Sequence, residues 1–198
     1  MATIKLYPDT TDGSPGAGDW AASSGNRHDA IDSDDIYRIT EGTNSTTITF
    51  TVDNFPLGIA DTITSVQHSI HAFTSGRPPN TTSIKVEMLD GDDSDTSLYE
   101  DTHTVTTNSG GPAQYDGTAR TTWDGGDAWD DPDLTKLNAL KMKFTLVNND
   151  VDGNGFAFDG NITWAYFTVT YTEVAVVVPP KSLTINSLLT LDGKLTIK

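Results

Sequence analysis

The sequence predicts an all-β fold, an antiparallel sandwich of many short strands, and three observations lead there. Of the 28 acidic residues, 24 are Asp and 4 are Glu, and Thr supplies 31 of the 198 residues. Glu favours helices, whereas Asp favours turns and Thr suits half-exposed strands. Apolar and polar residues alternate at period two in one segment after another, the pattern of a sheet with one wet face. Between these segments stand clusters of Gly, Pro, Asn and Asp, and nothing between them has the period of a crossover helix.

Residues 2–6, Ala2-Thr3-Ile4-Lys5-Leu6, read as the opening strand. In residues 47–52, Ile48, Phe50 and Val52 share one face and threonines the other. Residues 63–73 place Val66, His68, Ile70 and Ala72 together, and residues 83–88 repeat the pattern with a charged outer face. In residues 140–146, Leu140, Met142, Phe144 and Leu146 alternate with Lys141, Lys143 and Thr145. The four segments after the opening strand, 47–52, 63–73, 83–88 and 140–146, are half-buried strands. Residues 161–171 differ, because Ile162, Trp164 and Tyr166 share one face while Ala165, Phe167 and Val169 share the other. Apolar on both sides, that strand is central or covered by a neighbouring subunit. The helical signal is confined to residues 131–137, where Asp131 can cap and Pro132 fits the first helical position, for one or two turns. Many strands without helical crossovers make an antiparallel jelly roll the expected architecture for residues 1–173.

Composition changes after Glu173. Residues 174–181 form a linker whose Pro179-Pro180 pair cannot sit in a central strand. Residues 182–198 repeat with a six-residue period, Leu183, Leu189 and Leu195 in register, with Asn186-Ser187 and Asp192-Gly193 as turns. Three such strands are marginal alone, so this short C-terminal β-repeat arm is expected to serve assembly through Leu183, Ile185, Leu188, Leu189, Leu191, Leu195 and Ile197. Charge separates at the same boundary: residues 1–174 carry 9 basic and 27 acidic residues, a net charge of −18, and residues 175–198 carry 3 and 1, a net charge of +2. A mildly basic arm on an acidic body is an assembly signature.

The overall charge of −16 repels nucleic acid and anionic membranes, so neither is an expected partner. The absence of cysteine excludes disulfides, zinc–thiolate sites and thiol nucleophiles. No apolar run suits a signal peptide or a membrane span, and the three Asn-x-Ser/Thr sites read as chance matches in a Thr-rich chain.

Asp150-Val151-Asp152-Gly153-Asn154-Gly155 fits the first half of a calcium loop, in which oxygens at alternate positions converge on one hard cation. The twelfth position is Asn161 rather than a bidentate Glu, with Asp159 two residues earlier. Asp150, Asp152, Asn154 and Asp159 are therefore the candidate calcium ligands, weighed against an ordinary Asp/Asn/Gly turn, and no cofactor is required for folding. Asp90, Asp92, Asp93 and Asp95, and a second group from Asp124 to Asp133, read as solvated acidic loops before they read as cation sites. Enzyme chemistry has little support. His68 and His71 stand three apart in a strand and face opposite sides, and Glu87 with Glu100 is a glycosidase pair only in the sense that any two acids can be nominated. Trp20, Trp123 and Trp129 occupy loop-like surroundings, with Tyr115 near the last two; they either stack on sugar rings or, the commoner use, plug the sandwich ends or form subunit contacts.

Leu6-Tyr7-Pro8-Asp9, Gly18-Asp19-Trp20, residues 31–37 and residues 63–72 lead on to Gly126-Asp127-Ala128-Trp129-Asp130-Asp131-Pro132-Asp133-Leu134 and residues 165–171. Features in this order resemble those of a group of jelly-roll virion proteins encoded by tailed bacteriophages. In that group the late segment usually reads G-x-A-W-T-x-x-D-L. Here Asp130 stands in place of the Thr, and Gln67, His68 and His71 replace an arginine-rich strand. The resemblance implies a non-enzymatic structural role in the virion, assembled in the host cytoplasm without secretion: a head decoration or cement protein contacting the major capsid protein or other virion proteins. The alternative is a tail or fibre component that binds host glycans. The arm adds the expectation of self-association, with a homotrimer preferred.

Overall fold

The computed structural model describes residues 1–12, 20–22, 31, 39–41, 46–56, 60–74, 81–106, 111–123, 126–129, 135–149 and 160–173. The strands in chain order are β1 (Ala2–Leu6), β2 (Pro8–Asp12), β3 (Ala21–Ala22), β4 (Ile39–Glu41), β5 (Thr47–Val52), β6 (Ala60–Thr74), β7 (Thr81–Asp90), β8 (Thr96–Thr106), β9 (Ala113–Asp116), β10 (Leu140–Asn149) and β11 (Gly160–Glu173). The one helix among the described residues, α1 (Thr135–Asn138), is a single turn at the end of the segment where a short helix was expected.

Two antiparallel sheets face each other. The first runs β3-β4-β11-β6-β9, with β1 also paired to β11, and the second runs β2-β5-β10-β7-β8. The chain changes sheet at most connections, which is the winding of a jelly roll. At the first crossing, Tyr7 and Asp53 clip the corner: Asp53 N–H donates to the Tyr7 carbonyl at 2.8 Å, and Tyr7 N–H donates to the Asp53 carboxylate at 3.1 Å.

The alternating positions fill the space between the sheets. Ile48, Phe50, Val66, Ile70, Ala72, Ile84, Val86, Met142, Phe144, Phe167 and Val169 are all buried. Phe144 lies at the centre, with ring centroids 5.9 Å from Phe50 and 6.3 Å from Trp20.

β11 is central, as its two apolar faces predicted: it pairs with β6 along one edge and with β1 and β4 along the other. One detail of its pattern differs from expectation. Ile162 pairs with Ala72 and Trp164 with His71, so a bulge at Thr163 absorbs one residue. The phase slips there, turning Ile162 into the core with Ala165 and leaving Trp164 and Tyr166 on the outer face.

Candidate functional site

The two outer faces of the sandwich are built from different chemistry. On the β5-β10-β7-β8 sheet, the outward residues are Thr and paired charges. Lys143 and Glu100 flank Glu87 in the strand register. The Glu87 carboxylate takes ion pairs from Lys143 at 3.1 Å and Lys85 at 3.2 Å, and Lys85 also reaches Glu100 at 3.1 Å. Burial alone would raise the Glu87 pKa, but the two ammonium groups outweigh it and hold the carboxyl below its usual range. This face is polar, its charges joined in ion pairs.

The outer face of the β1-β11-β6-β9 sheet is aromatic. The slip at Thr163 puts Trp164 opposite His71, with ring centroids 3.6 Å apart. Tyr166, two residues along the strand, stacks on Trp164 at 4.8 Å with planes 16° apart, and Tyr7 follows at 5.8 Å from Tyr166. Lys5, on the neighbouring strand, holds its ammonium 3.8 Å from the Tyr166 ring centroid and 5.3 Å from that of Trp164. Trp164 and His71 remain half-exposed while Tyr166 is buried beneath its neighbours. A polar border runs beside the row: Ser69 donates to Asp116 at 2.6 Å, Gln114 donates to Asp116 at 2.7 Å, and Gln67 donates to the Gly117 carbonyl at 2.7 Å. Burial would raise the Asp116 pKa, but the hydrogen bonds from Ser69 and Gln114 outweigh it and bring it down.

A second polar cluster lies between the sheets. His68 on β6 points inward, as its phase predicted, and His71 points outward. The ring of His68 meets His103 of β8 with Nε2 atoms 2.8 Å apart. His68 Nδ1 stands 3.8 Å from Asp101, which in turn takes Arg120 at 3.0 Å. Burial, then the charge of His103, pushes the His68 pKa down to about 4; Asp101 and Asp116 oppose this and Arg120 adds to it. Burial also lowers His103, against Asp101 and Asp116.

The predicted glycan-stacking residues do not form a sugar platform. Trp20, Trp123 and Trp129 are buried. The Trp20 indole donates to the Thr46 carbonyl at 3.3 Å; Trp129 donates to the Arg120 carbonyl at 2.9 Å and packs edge-on to Trp123 at 5.0 Å. Their ring faces are spent on packing at 0–5 % exposure, so none is open to a saccharide. Tyr115 is half-buried against His103, its hydroxyl accepting the Thr106 N–H at 3.4 Å. Asp90 to Asp95 form the β7–β8 turn, where Asp90 accepts the Asp92 N–H and Asp95 pairs with Lys141 at 2.7 Å. Asp150, Asp152, Asn154 and Asp159, and the arm residues Leu183, Ile185, Leu188, Leu189, Leu191, Leu195 and Ile197, lie outside the described residues. Among the described residues, no three His, Asp or Glu side chains gather as metal ligands.

No family model and no curated protein sequence matches the chain. Among solved structures it is similar to one described as "CBM4 structure and function", at 16% identity and a TM-score of 0.40, covering 78% of each chain. It is also similar to an arabinose-bound GH51 α-L-arabinofuranosidase, at 11% identity and a TM-score of 0.43, covering 83% of this chain and 27% of that one. No helix among the described residues is long and apolar enough to cross a membrane.

Proposed function

We propose that the protein is a non-enzymatic structural component of a tailed-phage virion, a head decoration or cement protein that attaches by the aromatic outer face of its β11 sheet. The observation that carries this reading is the asymmetry of the sandwich: one outer face is Thr and closed ion pairs, the other a row of His71, Trp164, Tyr166 and Tyr7. Half-exposed Trp and Tyr at the centre of a flat, polar-bordered face are the side chains that anchor protein contacts. The partner is a neighbouring virion protein. The basic repeat arm then joins copies of the acidic body into a symmetric oligomer, preferably a trimer, and multivalent attachment stabilises the assembled shell by mass action. Surface aspartates keep the crowded exterior hydrated.

A glycan-binding tail or fibre component is the second reading, and one observation favours it: the half-exposed ring of Trp164 lies on the same outer face as the exposed polar side chains Gln114 and Asp116, as a sugar site requires. Co-sedimentation with capsids of the encoding virus, and binding to an array of host surface polysaccharides, separate the two. Saturable capsid binding that weakens when residues 179–198 are deleted supports the decoration reading. Capsid binding and oligomeric state that ignore the deletion remove the arm from it, and saturable polysaccharide binding without capsid binding replaces it.

A further inference from the structure

The side of the sandwich between β8 and β9 is closed differently from the rest. Among the described residues, β8 pairs with β7 and β9 with β6, and no backbone ladder joins these two edges. Side chains lace them instead. Asp101 accepts from Thr118 N–H at 3.1 Å and from Arg120 at 3.0 Å, and Arg120 also reaches the Glu100 carbonyl at 3.4 Å. Tyr115 receives the Thr106 N–H, and the Tyr99 hydroxyl meets the carbonyls of Thr122 at 2.7 Å and Trp123 at 3.0 Å. In the middle of the seam the His68–His103 bond spans the two sheets. Gly117 seals it from the β9 side, its N–H donating to the His68 carbonyl at 3.0 Å.

Two imidazoles facing each other through Nε2 have a definite proton capacity. One ring donates and the other accepts, so the bond survives a first proton on the pair. A second proton removes the accepting lone pair and sets two N–H⁺ groups against each other. The charged and titratable groups facing the pair are Asp101 from β8, Tyr115 and Asp116 from β9, and Arg120 from the segment that follows. Asp101 is already committed to Arg120 and Thr118, and Asp116 to Ser69 and Gln114. β11 sets Phe167 across from His68, and β7 sets Ile84 across from His103.

We propose that this seam is an acid-operated closure: the second proton taken up by the His68–His103 pair parts β8 from β9 while the ladders within each sheet stay paired. The direction follows from linkage. A solvated imidazole takes its proton near 6.5 and the closed His68 only at about 4, so opening is coupled to proton uptake as pH falls between those values. With the closed ring half protonated at pH 4, that difference corresponds to an opening constant that rises on the order of 100-fold from pH 7 to pH 4.

Amide hydrogen exchange on the full chain at pH 7.0, 5.5 and 4.0, corrected for intrinsic exchange, reads this out. Thr106 and Thr118 amides, bonded to Tyr115 and Asp101 across it, report the seam; Met142 and Phe144 in β10 report the rest. The expected result is a rise at the seam of about 100-fold relative to β10, reduced below about tenfold in His68→Gln, whose amide keeps a hydrogen bond without titrating. His103→Gln provides a second check and is expected to give a smaller rise than wild type, because it removes the like charge but leaves His68 buried. Parallel loss of protection at seam and β10, or an undiminished rise in either variant that folds, overturns the proposal; if neither variant folds, an imidazole titration of wild-type His68 with a midpoint near 6.5 does so.

Discussion

Gly117→Ala is expected to destabilise the protein through one identifiable collision. A Cβ on Gly117 falls inside the imidazole of His68. The backbone has little room to retreat, because its N–H is bonded to the His68 carbonyl at 3.0 Å and its carbonyl accepts from Gln67 at 2.7 Å. The φ angle of Gly117 lies outside the left-handed region, so the cost is steric rather than conformational. Overpacking of this kind costs about 1–3 kcal/mol. In a His68→Ala background the obstacle is gone, and the same substitution costs about nothing, or stabilises by about 0.5 kcal/mol through the restricted unfolded chain. Urea unfolding at pH 7.5, followed by tryptophan fluorescence on wild type, both single variants and the double variant, gives the cycle directly. The predicted coupling is about 2 kcal/mol; costs that add to within about 0.5 kcal/mol would refute the collision.

Phe144→Ala empties the centre of the core between Phe50 and Trp20, and is expected to cost about 3–5 kcal/mol by urea unfolding. A loss under about 1 kcal/mol means that the two sheets do not meet there. Glu87→Gln leaves Lys85 and Lys143 without their shared carboxylate and is expected to cost about 1–2 kcal/mol at pH 7. Because the folded pKa of Glu87 is depressed, its contribution is present above its unfolded value of about 4.3 and is lost as pH falls through the folded one. The gap between wild type and variant should therefore narrow with acidification, and a gap undiminished at pH 3 contradicts the ion-pair account.

What the sequence revealed of this fold follows from where polar residues fall. β5, β6, β7 and β10 keep strict alternation because one face of each meets the core and the other meets water, and β11 betrays its central place by being apolar on both sides. β8 escapes the same reading because its inward positions include Asp101 and His103, which serve the seam rather than the core. The bulge at Thr163 was equally invisible, since a phase slip leaves no compositional mark, yet it decides that Trp164 faces outward and Ile162 inward. The loop tryptophans admitted two readings from sequence, packing first and sugar stacking second; they are buried because the ends of a sandwich need large side chains to close them, with the indole N–H of Trp20 and Trp129 satisfied by a carbonyl. His68 could be assigned to the inner face from sequence, but its partner could not, because the pairing depends on which strands end up at the two adjoining edges.

The attachment face is tested most directly by measuring equilibrium binding of the full chain to capsids of the encoding virus, with Trp164→Ala set beside Thr49→Ala on the opposite outer face. If the aromatic row makes the contact, Trp164→Ala weakens binding by about 30-fold or more, corresponding to about 2 kcal/mol for a central tryptophan, while melting behaviour stays cooperative and Thr49→Ala binds as wild type. Binding by Trp164→Ala that equals wild type, or an equal loss in both variants, contradicts the assignment of this face.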